Sequence, residues 1–129
     1  MEEGLALQIR IAGVQVPERE FRFCAHHVGL GKGVKTRLRE AGLSDWRLDF
    51  AWPDLWLGVE VDGGQWIGGG HNTGVGSDRD FQKGHHAARL GWLVYRCNGD
   101  LVKSGQAMQF IQEELVRRQD LMKLLTGQQ

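Results

Sequence analysis

The chain has 129 residues, of which 41% are hydrophobic and 25% are charged, a composition that suits one compact domain. Sixteen lysines and arginines balance sixteen aspartates and glutamates, which argues against a disordered acidic tail and against a uniformly basic nucleic-acid coat. No apolar run approaches the roughly 18 residues of a membrane span. The acidic start lacks the apolar segment of a signal peptide, and the two cysteines have no CxxC spacing. We therefore expect a cytoplasmic protein with no membrane partner.

The hydrophobic pattern predicts one α/β domain over residues 1–129. The first element is a short helix over Glu2–Ala12, although the alternation of its apolar residues also permits a strand. The further predicted elements are a strand over Glu20–Phe23, a short basic helix over Val34–Ala41, strands over Trp46–Phe50 and Leu55–Asp62, a helix from Asp78 to Leu90, a strand over Trp92–Cys97, an Asn98-Gly99 turn and a last helix capped by Ser104. Apart from the short basic helix, the predicted order is α, β, β, β, α, β, α.

The two central strands are expected to form an antiparallel hairpin through the turn Trp52-Pro53-Asp54. In the first strand, Trp46, Leu48 and Phe50 are expected to face one way. In the second strand, the odd positions from 55 to 61 form an apolar face and the even positions from 56 to 62 form the other face.

Three carboxylates mark this hairpin. Glu60 and Asp62 share a face at the end of the second strand, and Asp49 lies on the preceding strand. If the strands pair, the three converge at a half-buried spot, where they raise one another's pKa unless a cation is bound. Oxygen ligands favour Mg²⁺, with Mn²⁺ as a substitute. The alternative is that these carboxylates are solvated, or that they pair with Arg47 and Arg96.

The segment that follows is a glycine-rich loop from Gly63 to Gly76, which lacks the known phosphate-loop patterns. Trp66 is predicted to be exposed there and able to stack on a base. His71 is predicted to contact a phosphate or to act as a general base, or else to be a loop histidine without a role. On the next helix, Lys83 either pairs with Asp80 or reaches the carboxylates and polarises a water.

The basic residues of the sequence cluster in one stretch, Lys32, Lys35, Arg37 and Arg39, which Glu40 interrupts. Such a stretch is either a solvated helix face or a surface that contacts the DNA backbone. A basic patch separate from an acidic pocket is what a metal-dependent enzyme acting on phosphates requires.

Four segments carry a family resemblance. They are Arg47-x-Asp49-Phe50-Ala51-Trp52-Pro53, Leu57-x-Val59-Glu60-Val61-Asp62-Gly63-Gly64, Asp80-x-x-Lys83 and Gly91-Trp92-x-Val94-x-Arg96. Together they resemble the PD-(D/E)XK nuclease superfamily, and within it the small phage and prophage endonucleases related to very-short-patch repair endonucleases. The resemblance covers roughly Glu18 to Leu115, and its specific part is the block from Arg47 to Gly64.

The resemblance implies a restriction-endonuclease-like αβββαβ core, with a mixed central sheet flanked by helices, that binds Mg²⁺ and hydrolyses DNA phosphodiester bonds without a nucleotide cofactor. Asp49 and Glu60 fall on the metal-binding acids, and Glu20 matches the N-terminal acid of some junction resolvases. Asp62 stands where the superfamily usually has its lysine. Such lysines migrate to the following helix in some members, which makes Lys83 the replacement.

The short chain leaves no room for a separate sequence-reading domain, which favours recognition of DNA shape. We therefore expect a Holliday-junction resolvase-like endonuclease that acts on branched DNA. Resolvases of this fold are dimers, and Leu121–Leu125 offers an apolar stretch for a homodimer interface. One alternative is a nicking endonuclease for mismatched or site-specific duplex. An alternative of another class is a nuclease-fold DNA-binding module without catalysis.

Overall fold

A computed structural model of the chain describes residues 1–63 and 75–127. Its helices are α1 (Glu2–Ala12), α2 (Phe23–Val28), α3 (Val34–Glu40), α4 (Val75–Arg89), α5 (Gly99–Ser104) and α6 (Gln106–Thr126). Its strands are β1 (Glu18–Phe21), β2 (Leu48–Trp52), β3 (Leu57–Val61) and β4 (Leu93–Cys97). The predicted mixed α/β class is confirmed.

The four strands form one mixed sheet in the order β1-β2-β3-β4. β1, β2 and β3 are antiparallel neighbours, as predicted for the two central strands, and β4 pairs with β3 in parallel. A parallel pair needs a long crossover connection, and α4 lies in that connection. Within the described ranges, no helix has the length and apolar character that crossing a bilayer requires.

Helices cover both faces of the sheet and enclose two apolar cores. On one face α1, α5 and α6 contact one another and pack over Phe50, Trp52, Leu57 and Val59. On the other face, residues of α2, α3 and α4 surround Leu48 and Ala51. A sheet buried on both faces explains why its strands are richer in apolar residues than a simple alternation allows.

Several predicted element boundaries are wrong, for local reasons. β1 ends at Phe21, and Phe23 begins α2, which the sequence did not indicate. Pro53 starts a 3-10 turn over Pro53–Leu55, so β3 begins only at Leu57. Trp56 between them adopts the left-handed conformation, with φ 55°.

The end of the chain also differs from its prediction. Asn98 caps a short helix rather than forming a turn, because its side chain accepts a hydrogen bond from the N–H of Leu101 at 3.0 Å. Ser104 ends that helix, and Gly105 takes the N-cap position of the last one, but Ser104 Oγ accepts a hydrogen bond from the N–H of Gln106 at 3.3 Å. Gly105, with φ 86°, separates α5 from α6.

The prediction that Leu48 and Phe50 share a face is wrong, because they pack into different cores. The ladder between β2 and β3 pairs residues 50–52 with 57–59. Beyond it, carboxylates take the backbone donors: the N–H of Val61 donates to Asp49 Oδ2 at 2.8 Å, and the N–H of Asp49 donates to Glu60 Oε2 at 3.2 Å. At the point where these bonds replace the regular ladder, the alternation of side chains along β2 is interrupted, so Leu48 and Phe50 point to opposite faces of the sheet.

Gly58 accommodates this interruption, since a Cβ built there would lie 2.7 Å from Leu48 Cδ1. Leu48 is fully buried, so a Cβ at position 58 would force its side chain out of its packed position. We therefore expect Gly58→Ala to lower the free energy of unfolding by about 1–3 kcal/mol, the range typical of overpacking, as measured by urea denaturation. Gly84→Ala on α4 is the matched control, because its Cβ meets nothing within 4 Å and alanine favours the helix. Equal stability of the native protein and Gly58→Ala would contradict this account.

Candidate active site

Asp49 and Glu60 lie side by side where β2 and β3 leave their regular pairing. The two hydrogen bonds that join Asp49 to Glu60 and to the backbone of Val61 hold both carboxylates in place. The strand geometry therefore brings together two of the three acids that the sequence singled out.

Lys83 reaches this pair from α4. Its ammonium forms an ion pair with Glu60 Oε1, and the two side chains are only 23% and 16% exposed. Among the ion pairs of the described residues, none joins Lys83 to Asp80. Asp80 instead lines, together with Glu60 and Lys83, a cavity of about 230 Å³ between α4 and the sheet. Of the two interpretations left open for Lys83, the structure adopts the one in which it contacts the carboxylates.

Glu20, Asp49 and Glu2 form an acidic group whose carboxylate oxygens lie within 4.8 Å of one another. Glu20 was predicted here, and Glu2 was not. Glu2 comes from the first turn of α1, and only the packing of that helix on the sheet brings it close. Nothing in the local sequence pattern connects it with Asp49.

Arg19 balances part of this negative charge. One of its Nη atoms lies 2.8 Å from Glu2 Oε2 and 2.8 Å from Glu3 Oε2. Its guanidinium also stacks on the ring of Phe50, with the carbon 4.6 Å from the ring centroid. The acidic group is therefore flanked by a cation that is itself held in position.

Asp62 lies apart from the acidic group. Its carboxylate is 57% exposed and contacts Arg96, with Oδ2 and Nη2 3.3 Å apart. The parallel register pairs Glu60 with Arg96 and so places this arginine beside the end of β3. Of the three acids that were expected to converge, Asp49 and Glu60 lie together. Asp62 instead follows the predicted alternative, in which it pairs with Arg96.

Burial raises the pKa of both Asp49 and Glu60 above the ordinary carboxyl range. For Glu60, the ion pair with Lys83 opposes this rise and the charge of Asp49 adds to it. For Asp49, the hydrogen bond from Val61 opposes it and the charge of Glu2 adds to it. With two further acids beside them, these half-buried carboxylates form an arrangement in which a bound cation would relieve the repulsion between their charges.

The raised pKa of Asp49 predicts how stability depends on pH. Folded protein keeps this proton to a higher pH than unfolded chain does, so the native protein loses stability as pH rises through the window between the two pKa values. Asparagine does not titrate. In metal-free buffer, we therefore expect Asp49→Asn to match the native Tm at about pH 3.5 and to exceed it at about pH 7.

Asp45 provides the matched control, because Arg22 donates to both of its oxygens and lowers its pKa. Its folded form loses its proton at a lower pH than the unfolded chain does. Asp45→Asn is therefore expected to lose stability relative to the native protein as pH rises through that window. Thermal unfolding followed by circular dichroism measures both variants. A Tm difference for Asp49→Asn that does not change with pH would contradict the assignment.

The predicted DNA-contacting residues divide into two groups. Lys32, Lys35 and Arg39 are exposed on or before α3. Arg37 is engaged inside the fold, since its guanidinium donates to four backbone carbonyls, those of Val28, Gly29, Leu30 and Lys32. It holds the α2–α3 loop closed, so its donors serve the loop rather than a phosphate. Trp66 and His71 lie outside the described residues.

Comparisons with protein-family models, with curated proteins and with solved structures give no match for this chain.

Proposed function

We propose that the chain is a metal-dependent DNA endonuclease with a restriction-endonuclease-like core. One observation carries this proposal: Asp49 and Glu60 from adjacent strands are hydrogen-bonded together, and Lys83 from the next helix is paired with Glu60. Two acids and one lysine in contact are the constellation by which metal-dependent nucleases of this fold cut phosphodiester bonds. The family resemblance implies a mixed sheet flanked by helices, and the four-stranded mixed sheet with helices on both faces agrees with that expectation.

The residues present suit a hard divalent cation. The donor set consists of carboxylate oxygens from Glu20 and Asp49, with Glu60 adjoining and Glu2 as an additional neighbour. Oxygen donors of this kind favour Mg²⁺ and Mn²⁺. When bound, the ion supplies Lewis-acid polarisation of a phosphoryl oxygen.

The chain's own residues supply the rest of the chemistry. The carboxylates of Asp49 and Glu60 are negatively charged only above their raised pKa values. Lys83 places a cation at Glu60 Oε1, from which it can neutralise charge that develops on a phosphate. The cavity beside it, lined also by Asp80, gives a water access to the same atoms.

DNA is the substrate that the surface charges favour. Besides Arg22, Arg47 and Lys35 also contribute to the lowered pKa of Asp45, so positive charge surrounds this carboxylate. Leu38 of α3 and Ala87 of α4 belong to the same core, which puts the basic helix on the same face of the sheet as Lys83. A phosphate backbone contacting α3 can therefore extend toward the acids.

Branched DNA is the proposed substrate, with a homodimer as the acting species. Two symmetric cuts need two copies of one site. The end of α6 supports self-association, because Leu124 and Leu125 are 78% and 70% exposed.

The decisive experiment incubates the protein with an end-labelled four-way junction, a linear duplex and a mismatched duplex, with Mg²⁺ or with EDTA. We expect Mg²⁺-dependent cleavage of the junction, with 5′-phosphate and 3′-hydroxyl products. Equal cutting of the junction and the linear duplex would exclude a resolvase. Cleavage of the mismatched duplex alone would favour a nicking endonuclease. Binding without cleavage in either Mg²⁺ or Mn²⁺ would favour a non-catalytic module.

A further inference from the structure

A second cavity, of about 240 Å³, opens on the face of the sheet that carries Lys83, and aromatic rings form most of its wall. Its lining includes Phe21, Phe23, Trp56 and Trp92, with His26 and His27 beside them. We refer to it as the aromatic pocket. Trp92 also lines the cavity that holds Glu60 and Lys83, so the two cavities share a wall.

The aromatic pocket also adjoins the acidic group along the chain. Phe21 directly follows Glu20, and it pairs with Leu48 in the register that places Glu20 opposite Asp49. The Phe21 side of the pocket is therefore one residue away from Glu20 along the chain, and Trp56 lies four residues before Glu60. A pocket this close to the acids is positioned to hold part of the same substrate.

The rim of the pocket presents an aromatic ring to solvent. Trp56 is 42% exposed, although large aromatic side chains are usually more buried. Its ring stands edge-on to Trp92, with centroids 5.4 Å apart. Within the described ranges, Trp56 and Glu20 are the non-glycine residues with positive φ, a strained conformation that concentrates at functional sites. One borders the pocket and the other belongs to the acidic group.

The chemistry of the wall favours a planar ring with polar edges. The cavity is smaller than the roughly 300–1,000 Å³ of drug-sized sites and suits one flat ring system. His26, stacked on Phe21 with centroids 4.4 Å apart, and His27 each bring an imidazole that can donate or accept a hydrogen bond. No carboxylate is among the described residues that line the pocket, so its wall offers no ion-pair partner to a cationic ligand.

We propose that the aromatic pocket binds one unpaired nucleobase of the DNA substrate, with Trp56 as the stacking wall. This inference rests on the proposed function, since a base reaches the pocket only as part of DNA. Nucleobases offer an aromatic face and a hydrogen-bonding edge, the two features that the wall provides. The pocket then directs cleavage to DNA in which a base is already unpaired. A paired base must first be extruded from the duplex, which costs free energy, whereas an unpaired base enters the pocket at a lower cost.

The test measures DNA binding by the native protein in EDTA, so that no cleavage occurs. Three labelled duplexes of one sequence are compared by fluorescence anisotropy: fully paired, with one extra unpaired adenosine, and with an abasic nucleotide in place of that adenosine. We expect the adenosine bulge to bind about tenfold tighter than the abasic bulge, as stacking of one base allows. Equal affinity for the two bulges would overturn the proposal.

Variants of Trp56 assign the preference to the pocket. Trp56→Gly removes the ring and readily adopts the native φ, so it is expected to lose the adenosine-over-abasic ratio, whereas Trp56→Phe keeps part of it. Val116→Ala, exposed on α6 on the opposite face of the sheet, is the control that keeps the full ratio. His26→Ala provides a second variant if Trp56→Gly does not fold, and it too is expected to reduce the ratio. A full ratio in the folded pocket variant would overturn the proposal.

The same duplexes with Mg²⁺ separate this inference from the function on which it rests. Cleavage without any preference for the adenosine bulge would overturn the base-binding pocket and leave the endonuclease in place. A base preference in binding without cleavage of any DNA would overturn the endonuclease and leave the pocket in place.

Discussion

Replacing Asp49 with asparagine is expected to abolish Mg²⁺-dependent DNA cleavage while the fold is kept. Asparagine has nearly the same shape, and its side-chain oxygen can still accept the hydrogen bond that the N–H of Val61 donates to Asp49 at 2.8 Å. The change removes one negative charge from an acidic group that also contains Glu2 and Glu20. We expect the cleavage rate to fall by about 10³, the scale of losing one fixed electrostatic group in an active site.

Three measurements give this result its meaning. Cleavage of labelled DNA measures the rate, calorimetric titration with Mn²⁺ measures metal binding, and circular dichroism reports the fold. Metal binding is expected to weaken in parallel with cleavage. Asp54→Asn is the control, since Asp54 is an exposed carboxylate that accepts hydrogen bonds from Gln15, outside the acidic group. Cleavage by Asp49→Asn at the native rate would remove this residue from the site.

Asp62→Asn refines the same experiment. From the sequence, Asp62 was predicted to join Asp49 and Glu60 at the metal site, but its carboxylate is half exposed and contacts Arg96. We therefore expect Asp62→Asn to retain most of the cleavage activity that Asp49→Asn loses. A loss as large as that of Asp49→Asn would show that Asp62 acts at the metal despite its ion pair.

The sequence predicts the sheet well because its signal is local. Alternating apolar residues and the Trp52-Pro53-Asp54 turn indicate the β2–β3 hairpin, and two acids on neighbouring strands of a hairpin must come close. The pairing of Lys83 with Glu60 is foreseen as one of two alternatives, because an acid and a lysine three residues apart on a helix cannot by themselves show which partner the lysine takes.

Other features depend on packing between distant segments, which a single sequence does not reveal. Glu2 joins the acidic group only because α1 packs across the sheet. Arg37 belongs to a basic stretch by composition, yet the α2–α3 loop folds around its guanidinium. The face of Leu48 changes because carboxylates, rather than backbone carbonyls, receive the next donors along β2 and β3. In each case a tertiary contact overrides a correct local pattern.

Lys83→Gln is the second variant with a large expected effect, because Lys83 is the cation that touches Glu60. Glutamine keeps a polar side chain, one atom shorter than that of lysine, and removes its charge. We expect DNA cleavage to fall by about 10²–10³ and stability near pH 7 to fall by about 1–3 kcal/mol, since the buried charge of Glu60 loses its partner. Lys83→Arg keeps a cation and is expected to lose less of both.

The pH dependence distinguishes this ion pair from a generic loss of packing. Burial raises the pKa of Glu60 and Lys83 opposes that rise, so removal of the lysine raises the pKa further. Once Glu60 is protonated it no longer needs a cation, and the stability difference between Lys83→Gln and the native protein is therefore expected to shrink as the pH falls from about 8 to about 4. The pH at which cleavage reaches half its maximum is expected to move upward for the same reason.

A double-mutant cycle completes the test of Lys83. Glu60→Gln is combined with Lys83→Gln, and Lys103→Gln, at an exposed position on α5, is the control for loss of a lysine charge. If the two residues act through their ion pair, removing both costs less stability than the sum of the single changes. Additive effects, or native cleavage by Lys83→Gln, would mean that Lys83 only covers the surface beside Glu60. The proposed enzyme would then need another cation at its acidic group.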